Sequence, residues 1–247
     1  MVAFLSVLWC QLPALAGLNE RVAMGGLAAY CERVGDGVLS EPLNAVTNLA
    51  FLVAAYAAWR MLRRAGARPP PSLVALIVIL VAIGLGSLAF HTFAGWTVIL
   101  DVVPIAMFMV FGFVCALHYL WGLRWPVAWL GAPAFLGFAA GMSVLTSAFD
   151  LPPGNYVAAL LLMAGVAVVL GRDPDRRPHA GRFALAAAVF AVSLTFRTVD
   201  EPICGAVPIG THFLWHLLNA CVLFLVLRAL ILRWREVSAT SQSPSRP

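Results

Sequence analysis

The sequence predicts an all-α membrane protein, a seven-transmembrane helical bundle with its N-terminus outside and its C-terminus in the cytoplasm. Three observations lead to this prediction. First, 62% of the 247 residues are hydrophobic and only 11% are charged, whereas a soluble domain carries roughly 25% charged residues. Second, seven apolar segments are long enough, or nearly long enough, to cross a bilayer. Third, most of the arginines fall on one side of those segments.

The seven segments follow from the length that a span requires. An α-helix rises about 1.5 Å per residue and the hydrocarbon core is about 30 Å thick, so a span takes about 20 apolar residues. The segments cover residues 44–63, 72–92, 96–118, 125–146, 155–171, 183–199 and 210–232, of which the fifth and sixth are the shortest. As helices they satisfy their own backbone hydrogen bonds, which lipid demands.

The basic residues predict the orientation of these spans. All 16 are arginine, and thirteen of them fall on one face of the membrane, leaving only Arg21, Arg33 and Arg197 for the other face. Cytoplasmic loops carry an excess of arginine, so the thirteen mark the cytoplasmic side. The N-terminus then lies outside and the C-terminus inside, which requires an odd number of spans. The net charge of +5 therefore reflects membrane topology and does not indicate a nucleic-acid partner.

The chain divides into three parts. We assign residues 1–43 to an outer-face N-terminal segment, 44–236 to the seven-span domain and 237–247 to a disordered, Ser/Pro-rich cytoplasmic tail. Residues 2–17 are apolar but short and lack a basic start, which favours an interfacial helix; a signal-like segment and an extra span remain alternatives. The lysine-free, Ala/Gly/Arg/Pro-rich composition is typical of a high-GC bacterial genome, which predicts the bacterial inner membrane.

Five polar residues fall inside or at the ends of predicted spans, where ionisable groups are costly and therefore candidates for function. Ser87 and His91 lie four residues apart near the outer end of the second span, hence on one helix face. Asp101 lies about one turn into the third span. His212 and His216, again four residues apart, begin the seventh span. All five are expected at one depth, in the outer third of the membrane.

This set predicts a metal centre. Three histidines on two helices are the ligands of a catalytic zinc site, which keeps a fourth position open for water, and a pair spaced i, i+4 directs two imidazoles at one point. The alternative is that these groups only hydrogen-bond helices together, but their common depth favours a site. His118, at the inner interface, and His179, in an arginine-rich loop expected to be solvated, are interpreted as structural.

The motifs around these residues resemble those of the alkaline ceramidases. This family belongs to a superfamily of seven-span membrane hydrolases that also includes adiponectin-receptor-like and haemolysin III-like proteins. The likeness extends over residues 30–220 and rests on five runs, which are Gly86–His91 (GSLAFH) with the following Asp101, His212–His216 (HFLWH), Tyr30–Glu32 (YCE), Glu41–Asn48 (EPLNAVTN) and Phe196–Cys204 (FRTVDEPIC).

The resemblance implies an enzyme and a set of site residues. It implies a zinc-dependent intramembrane hydrolase that cleaves the N-acyl bond of ceramide or a related sphingolipid to a sphingoid base and a fatty acid. The implied zinc ligands are His91, His212 and His216. Beside them, Asp101 is interpreted as the general base and Ser87 as the donor to the developing oxyanion.

The resemblance also implies a disulfide between Cys31 and Cys204. The charge topology independently puts both cysteines on the outer side, where disulfides persist in an oxidising compartment. The implied partners of the protein are a ceramide-like membrane lipid and the bilayer itself, with no nucleic acid.

A calcium ion near the N-terminus is a further property of the family that the resemblance implies, with a departure from its pattern. Glu32 and Glu41 match the family's acidic positions, but Ala29 and Val34 stand where it has Asp and Asn. Asp36 is the candidate replacement, so the possible calcium set is Glu32, Asp36 and Glu41. The alternative is an acidic cluster on the outer face that pairs with Arg33 or Arg21.

Three other functions remain open at this point. A receptor-like or haemolysin III-like relative would share the Ser/His/Asp set and the fold, although the Cys31 and Cys204 motifs argue against it. A haem protein would use His91 and His212 as axial ligands. A transporter would use buried His and Asp as a proton relay, but the predicted inner half of the bundle lacks charged residues to continue the path.

Overall fold

The computed structural model describes residues 30–35, 37–64, 68–149 and 152–242. Residues 2–17 lie outside this part of the chain, so the alternatives for them stay predictions. Two short 3-10 turns lie at Gly95–Thr97 and Glu201–Ile203. The α-helices are α1 (Pro42–Thr47), α2 (Leu49–Arg63), α3 (Pro71–Phe93), α4 (Val98–Trp121), α5 (Trp125–Ala128), α6 (Gly131–Ser147), α7 (Gly154–Gly171), α8 (Arg177–Val199) and α9 (His212–Gln242).

The seven-span prediction is confirmed. Seven helical stretches in the described chain are long and apolar enough to cross a membrane, with α1 and α2 together forming the first and α5 and α6 the fourth. Their bounds agree with the predicted segments within a few residues, except that the sixth span begins at Arg177 instead of residue 183 and the seventh ends at Ala239 instead of residue 232. Hydropathy detects the apolar middle of a helix, whereas this helix begins earlier, with Pro178 in its first turn, where proline fits.

The last helix forms the centre of the bundle. α9 packs against α1, α2, α3, α4 and α8. In its most apolar stretch of 18 residues 61% of the residues are buried inside the protein, which is the highest share among the seven spans. The other neighbours follow chain order, with α3 against α4, α6 against α7 and α7 against α8. A site built on the first turns of α9 therefore lies where the N-terminal and C-terminal halves of the bundle meet.

The two ends of the bundle differ in chemistry. Successive spans alternate in direction, so the arginine-rich connections after α2, α4 and α7 and the end of α9 share one end of the bundle. The opposite end, which we name the site end, carries the C-terminus of α3, the N-terminus of α4 and the N-terminus of α9, with the predicted site residues on them. That the site end faces outward stays a prediction.

Two sequence interpretations differ from the structure. His179 does not lie in a solvated loop; it is fully buried in the first turn of α8, and its Nε2 contacts Glu236 of α9 at 2.8 Å. This contact joins the start of α8 to the last part of α9. The packing of the two helices explains why His179 is shielded from water although its neighbours in sequence are arginines. Its structural interpretation stands, because it lies at the end opposite the site end.

The C-terminal tail is also shorter than its predicted bounds of 237–247. α9 continues through Gln242, so residues 237–242 are helical, and 243–247 lie outside the described residues. The stretch from Val237 to Gln242 contains neither Gly nor Pro, and helix propagation onto an existing helix needs no new nucleus.

A close backbone contact joins α3 to α4 at the site end. The carbonyl of Leu100 has no intrahelical donor, because the residue four positions later is Pro104, which lacks an N–H. That carbonyl lies against Gly86 of α3, where an added Cβ would come within 1.8 Å of its oxygen. The missing side chain at Gly86 therefore sets the separation of the two helices next to Ser87 and Asp101.

The predicted disulfide is confirmed. Cys31 and Cys204 are bonded across 173 positions of sequence. The bond joins the segment before α1 to the 3-10 turn between α8 and α9. At the site end it therefore links the N-terminal half of the chain to the C-terminal half through two segments that lie outside the spanning helices.

We expect Gly86→Ala to destabilise the protein, because its new methyl group would meet the Leu100 backbone, which cannot rotate away as a side chain can. Overpacking of this kind costs about 1–3 kcal/mol or more, which a lowered melting temperature of the purified protein would register. Gly141→Ala is the matched control, since Gly141 is also helical and has nothing within 4 Å of an added Cβ. Equal melting temperatures for the two variants would contradict the close contact.

Breaking the disulfide should lower stability by about 2–5 kcal/mol, the usual effect of removing a native bridge. Cys204→Ser tests this through the melting temperature, and peptide mapping without reduction tests the pairing directly. Cys221→Ser is the control, because Cys221 is a free, exposed cysteine. Free thiols at both Cys31 and Cys204 in protein from an oxidising compartment would refute the bond.

Candidate metal centre

The three predicted histidine ligands meet at one point. One ligand atom from each of His91, His212 and His216 lies within 4.8 Å of the other two, and all three residues are buried. The ring centroids are 4.7 Å apart between His91 and His216 and between His212 and His216. Residues separated by more than one hundred positions thus form one compact cluster, as the common depth of α3 and α9 predicted.

His91 is oriented by a buried carboxylate on the first span. Its Nδ1 lies 2.5 Å from Oε2 of Glu41, which assigns the proton to Nδ1 and leaves the Nε2 lone pair free. Asn44 donates to the same oxygen, and Arg33 pairs with the other. Burial would raise the pKa of Glu41, but the hydrogen bonds from His91 and Asn44 and the charge of Arg33 outweigh it, so the pKa lies below its ordinary value.

His216 is oriented by a hydroxyl on the same span. Thr47 Oγ1 donates to the carbonyl of Leu43 at 2.8 Å, so its contact of 3.0 Å with His216 Nδ1 is one in which the ring nitrogen donates. This assigns the same tautomer as in His91. Metal-binding histidines characteristically donate their other ring N–H to a carboxylate, carbonyl or hydroxyl partner, which fixes the ring orientation.

Asp200 holds the first turn of α9 in place. Its Oδ1 accepts the backbone N–H of His212 at 2.9 Å and of Thr211, and its Oδ2 accepts that of Cys31 at 3.0 Å. A carboxylate at a helix N-terminus satisfies free backbone donors and complements the helix dipole. The Tyr30 ring stacks on His212 with centroids 3.7 Å apart, so the ligand is fixed both at its backbone and at its ring.

Ser87 and Asp101 lie beside the cluster. Ser87 is 3% exposed, and its hydroxyl lies close enough to the Asp101 carboxylate to interact with it, as does His91. The other oxygen of Asp101 is buried and has no hydrogen-bond partner within the described chain. The structure therefore brings together all five polar residues that the sequence placed at one depth, with one carboxylate oxygen left free.

A cleft leads to this group. Its cavity volume is about 420 Å³, and Asp101 and His212 line it together with Tyr30, Arg197 and Trp215. The Arg197 guanidinium lies over the rings of Tyr156 and Trp215 at 5.1 and 5.7 Å from their centroids. Arg197, one of the three arginines that the sequence assigned to the outer face, thus lines the cleft, and the aromatic faces stabilise its charge.

The residues of the possible calcium set are engaged differently. Both oxygens of Glu32 accept backbone N–H groups at the start of α1, from Leu43 and Asn44 at 2.6 and 2.7 Å. Glu41 pairs with Arg33, as the alternative interpretation had it, and with His91. Asp36 lies outside the described residues. Both described carboxylates thus have protein partners, so calcium binding stays a prediction and we derive no step through it.

The residues that fix the ligands were not assigned these roles from sequence. Glu41, Thr47, Tyr30 and Asp200 lie within the motifs that carry the resemblance, but nothing in their local pattern pairs Thr47 with His216, 169 positions away. The one usable signal was an Asp shortly before a predicted helix that begins with a candidate ligand. Sequence periodicity relates residues within one helix or strand, so it cannot predict a hydrogen bond between distant segments.

The donor set fits a zinc ion. His91 Nε2 and His212 Nδ1 are buried nitrogens with no hydrogen-bond partner in the described chain, which is unfavourable unless something binds them. Three imidazoles, two of which have a second ring nitrogen bonded to the protein, and an adjacent cleft match a catalytic zinc site with an open position. His91, His212 and His216 are the residues that would hold the ion.

Comparison with known proteins supports a family assignment. A family model described as Ceramidase matches residues 28–244, a range that contains every helix of the structure. A search of curated proteins gave no significant match. The family description denotes hydrolases that act on the amide bond of ceramide. Through this match, and with the seven spans and the disulfide in place, the chain belongs to the ceramidase family.

Proposed function

We propose that the protein is a zinc-dependent intramembrane amidase that hydrolyses the N-acyl bond of ceramide or a related sphingolipid to a sphingoid base and a fatty acid. The observation that carries the proposal is the convergence of three buried imidazoles next to a carboxylate with a free oxygen. A zinc ion bound there would polarise the amide carbonyl and make a water molecule acidic enough to attack at neutral pH.

In this proposal Asp101 moves the proton. Asp101 lines the cleft and has one carboxylate oxygen without a hydrogen-bond partner in the described chain, so we propose that it accepts a proton from the attacking water. Water adds to the amide carbon, and the C–N bond then breaks as Asp101 returns the proton to the leaving nitrogen. One carboxylate thus acts first as general base and then as general acid.

Ser87 supports the charge that develops on the carbonyl oxygen. Its hydroxyl is buried beside Asp101, and helix packing at Gly86 holds it there. A preorganised donor to an oxyanion in a water-poor site is worth about 3–4 kcal/mol of barrier lowering. This hydroxyl lies beside the Asp101 carboxylate, and we propose that it donates to the substrate oxygen.

The cleft and its surroundings suit a lipid amide. A narrower pocket adjoins it, since Ile105 and Tyr156 line both, and the walls of that pocket are almost entirely apolar. We place the acyl chain in this pocket and the polar head of the lipid in the cleft. A site end on the outer side of a bacterial inner membrane would meet the amide of a lipid at the boundary of head group and chains, and would allow the disulfide to persist.

We expect His91→Ala, His212→Ala and His216→Ala each to lose bound zinc and ceramide hydrolysis, because each removes one of three protein ligands. Elemental analysis of the purified variants and hydrolysis of a fluorescent ceramide measure the two effects. His118→Ala is the matched control, since His118 stacks on Trp125 at the opposite end of the bundle. Full zinc occupancy in any ligand variant would remove that residue from the set.

We expect Asp101→Asn to keep the metal but to lower kcat at least a hundredfold. Asparagine preserves the shape of the side chain but cannot accept the proton, and general acid–base groups contribute about 10²–10⁴-fold. Zinc content, melting temperature and kcat should be measured on the same preparation. A near-normal kcat with a lowered melting temperature would show that Asp101 only ties α3 to α4.

A further inference from the structure

Asn219 is a buried amide that lines an apolar pocket. Its side chain in α9 is 4% exposed, and it belongs to the wall of that pocket. The buried asparagines Asn44 and Asn48 instead bind the protein itself, since Asn44 donates to Glu41 at 2.9 Å and Asn48 donates to the carbonyl of Asn44 at 2.8 Å. Neither of them lines the pocket. A polar amide in an apolar wall is unfavourable unless something hydrogen-bonds it, so the position of Asn219 requires an explanation.

The position of Asn219 relates it to the metal centre. It follows His216 by three residues and His212 by seven, so all three lie on one face of α9. At 1.5 Å per residue, Asn219 lies about 4.5 Å further along the helix axis than His216, toward the middle of the bundle. A chain that enters the bundle from the reacting amide would pass this side chain within its first few carbons.

The surroundings of Asn219 are a pocket made for a hydrocarbon chain. Asn219 lines the apolar pocket together with Ile83, Phe108, Phe183 and Val222. An amide side chain offers two N–H donors and a carbonyl acceptor. One hydrogen-bonding group therefore projects into an apolar pocket at a defined depth below the histidines.

We propose that Asn219 is a specificity residue that selects amides whose acyl chain carries a hydroxyl group near the carbonyl. This inference rests on the proposed function and names its substrate class. A hydroxyl group can both donate to and accept from the amide, whereas a plain chain leaves the amide unpaired. Sites with a buried polar group reject the analogue that cannot bind it more strongly than an apolar pocket rejects one extra methylene.

The test compares three ceramides of equal chain length. One has a plain acyl chain, one has an acyl chain hydroxylated at its second or third carbon, and one has a plain acyl chain with the additional hydroxyl on the sphingoid base. In the wild type we expect kcat/KM for the hydroxyacyl ceramide to exceed that for the plain one about tenfold or more, the effect of one well-placed hydrogen bond. In Asn219→Leu this ratio should fall to about one or below.

Thermal stability separates selection from a structural role. Leucine has the same branch at Cγ as asparagine and is apolar, and the pocket beside it has a volume of about 80 Å³ that can take the larger side chain, so Asn219→Leu should melt at or above the wild-type temperature. An asparagine that held helices together would instead give a lower melting temperature. Leu217→Met is the matched control, because Leu217 is partly exposed on the outer surface of α9 and lines neither cavity; it should leave the ratio and the melting temperature unchanged.

Binding of the products makes the test independent of turnover. A hydroxy fatty acid should raise the melting temperature of the wild type more than the plain fatty acid does, and Asn219→Leu should lose that difference. Hydrolysis of none of the three ceramides would overturn the proposed function, while these shifts would still decide the role of Asn219. Equal ratios and equal shifts in wild type and Asn219→Leu, or a preference for the base-hydroxylated ceramide, would overturn this inference.

Discussion

A polar atom inside a bilayer cannot turn to water for its hydrogen bonds, and the site end of this bundle is organised by that constraint. His91 and His216 each donate one ring N–H to the first span, to Glu41 and Thr47. The protein thereby satisfies one side of each imidazole and leaves the other side free. Together with His212, these two histidines bring one ligand atom each to within 4.8 Å of one another.

The same constraint acts on the backbone around the site. The free N–H groups at the start of α9 are satisfied by Asp200 and those at the start of α1 by Glu32. The carbonyl that Pro104 leaves without a donor lies against Gly86, which allows α3 and α4 to approach closely. Together, these hydrogen bonds and the contact at Gly86 hold the ends of α1, α3, α4 and α9 at fixed positions around one cleft.

The groups that remain unpaired show where a ligand belongs. A free oxygen on Asp101 and free nitrogens on His91 and His212 surround the start of the cleft, and the Asn219 amide lies one helical turn below His216. Other buried atoms of the described chain that have no partner, such as Oδ1 of Asn48 and Nε of Arg176, belong to residues that do not line the cleft. Polar atoms that lack protein partners at the cleft, and a polar amide in the adjoining apolar pocket, are expected of a site that a metal ion and a lipid amide complete.

Much of the fold and part of the site could be predicted from the sequence. Apolar length and arginine distribution depend only on the local order of residues, so the seven spans and their alternation could be read directly, as could the common depth of His91, Asp101 and His212. Motif resemblance supplied the pairing of Cys31 with Cys204. The start of α8 and the end of α9 were missed because polar residues continue a helix beyond its apolar middle.

The contacts that orient the site could be decided only by the tertiary structure. Glu41 and His91 lie 50 positions apart, Cys31 and Asp200 169 positions apart, and no periodicity relates residues at such separations. Asn219 shows the difference most clearly, since in sequence it is one more polar residue in an apolar helix. The sequence by itself determined which residues enter the membrane and at what depth, because hydrophobic transfer acts on each segment separately. Which polar atoms find partners, and which remain free for a ligand, was decided by packing, because hydrogen bonds require two groups to meet in space.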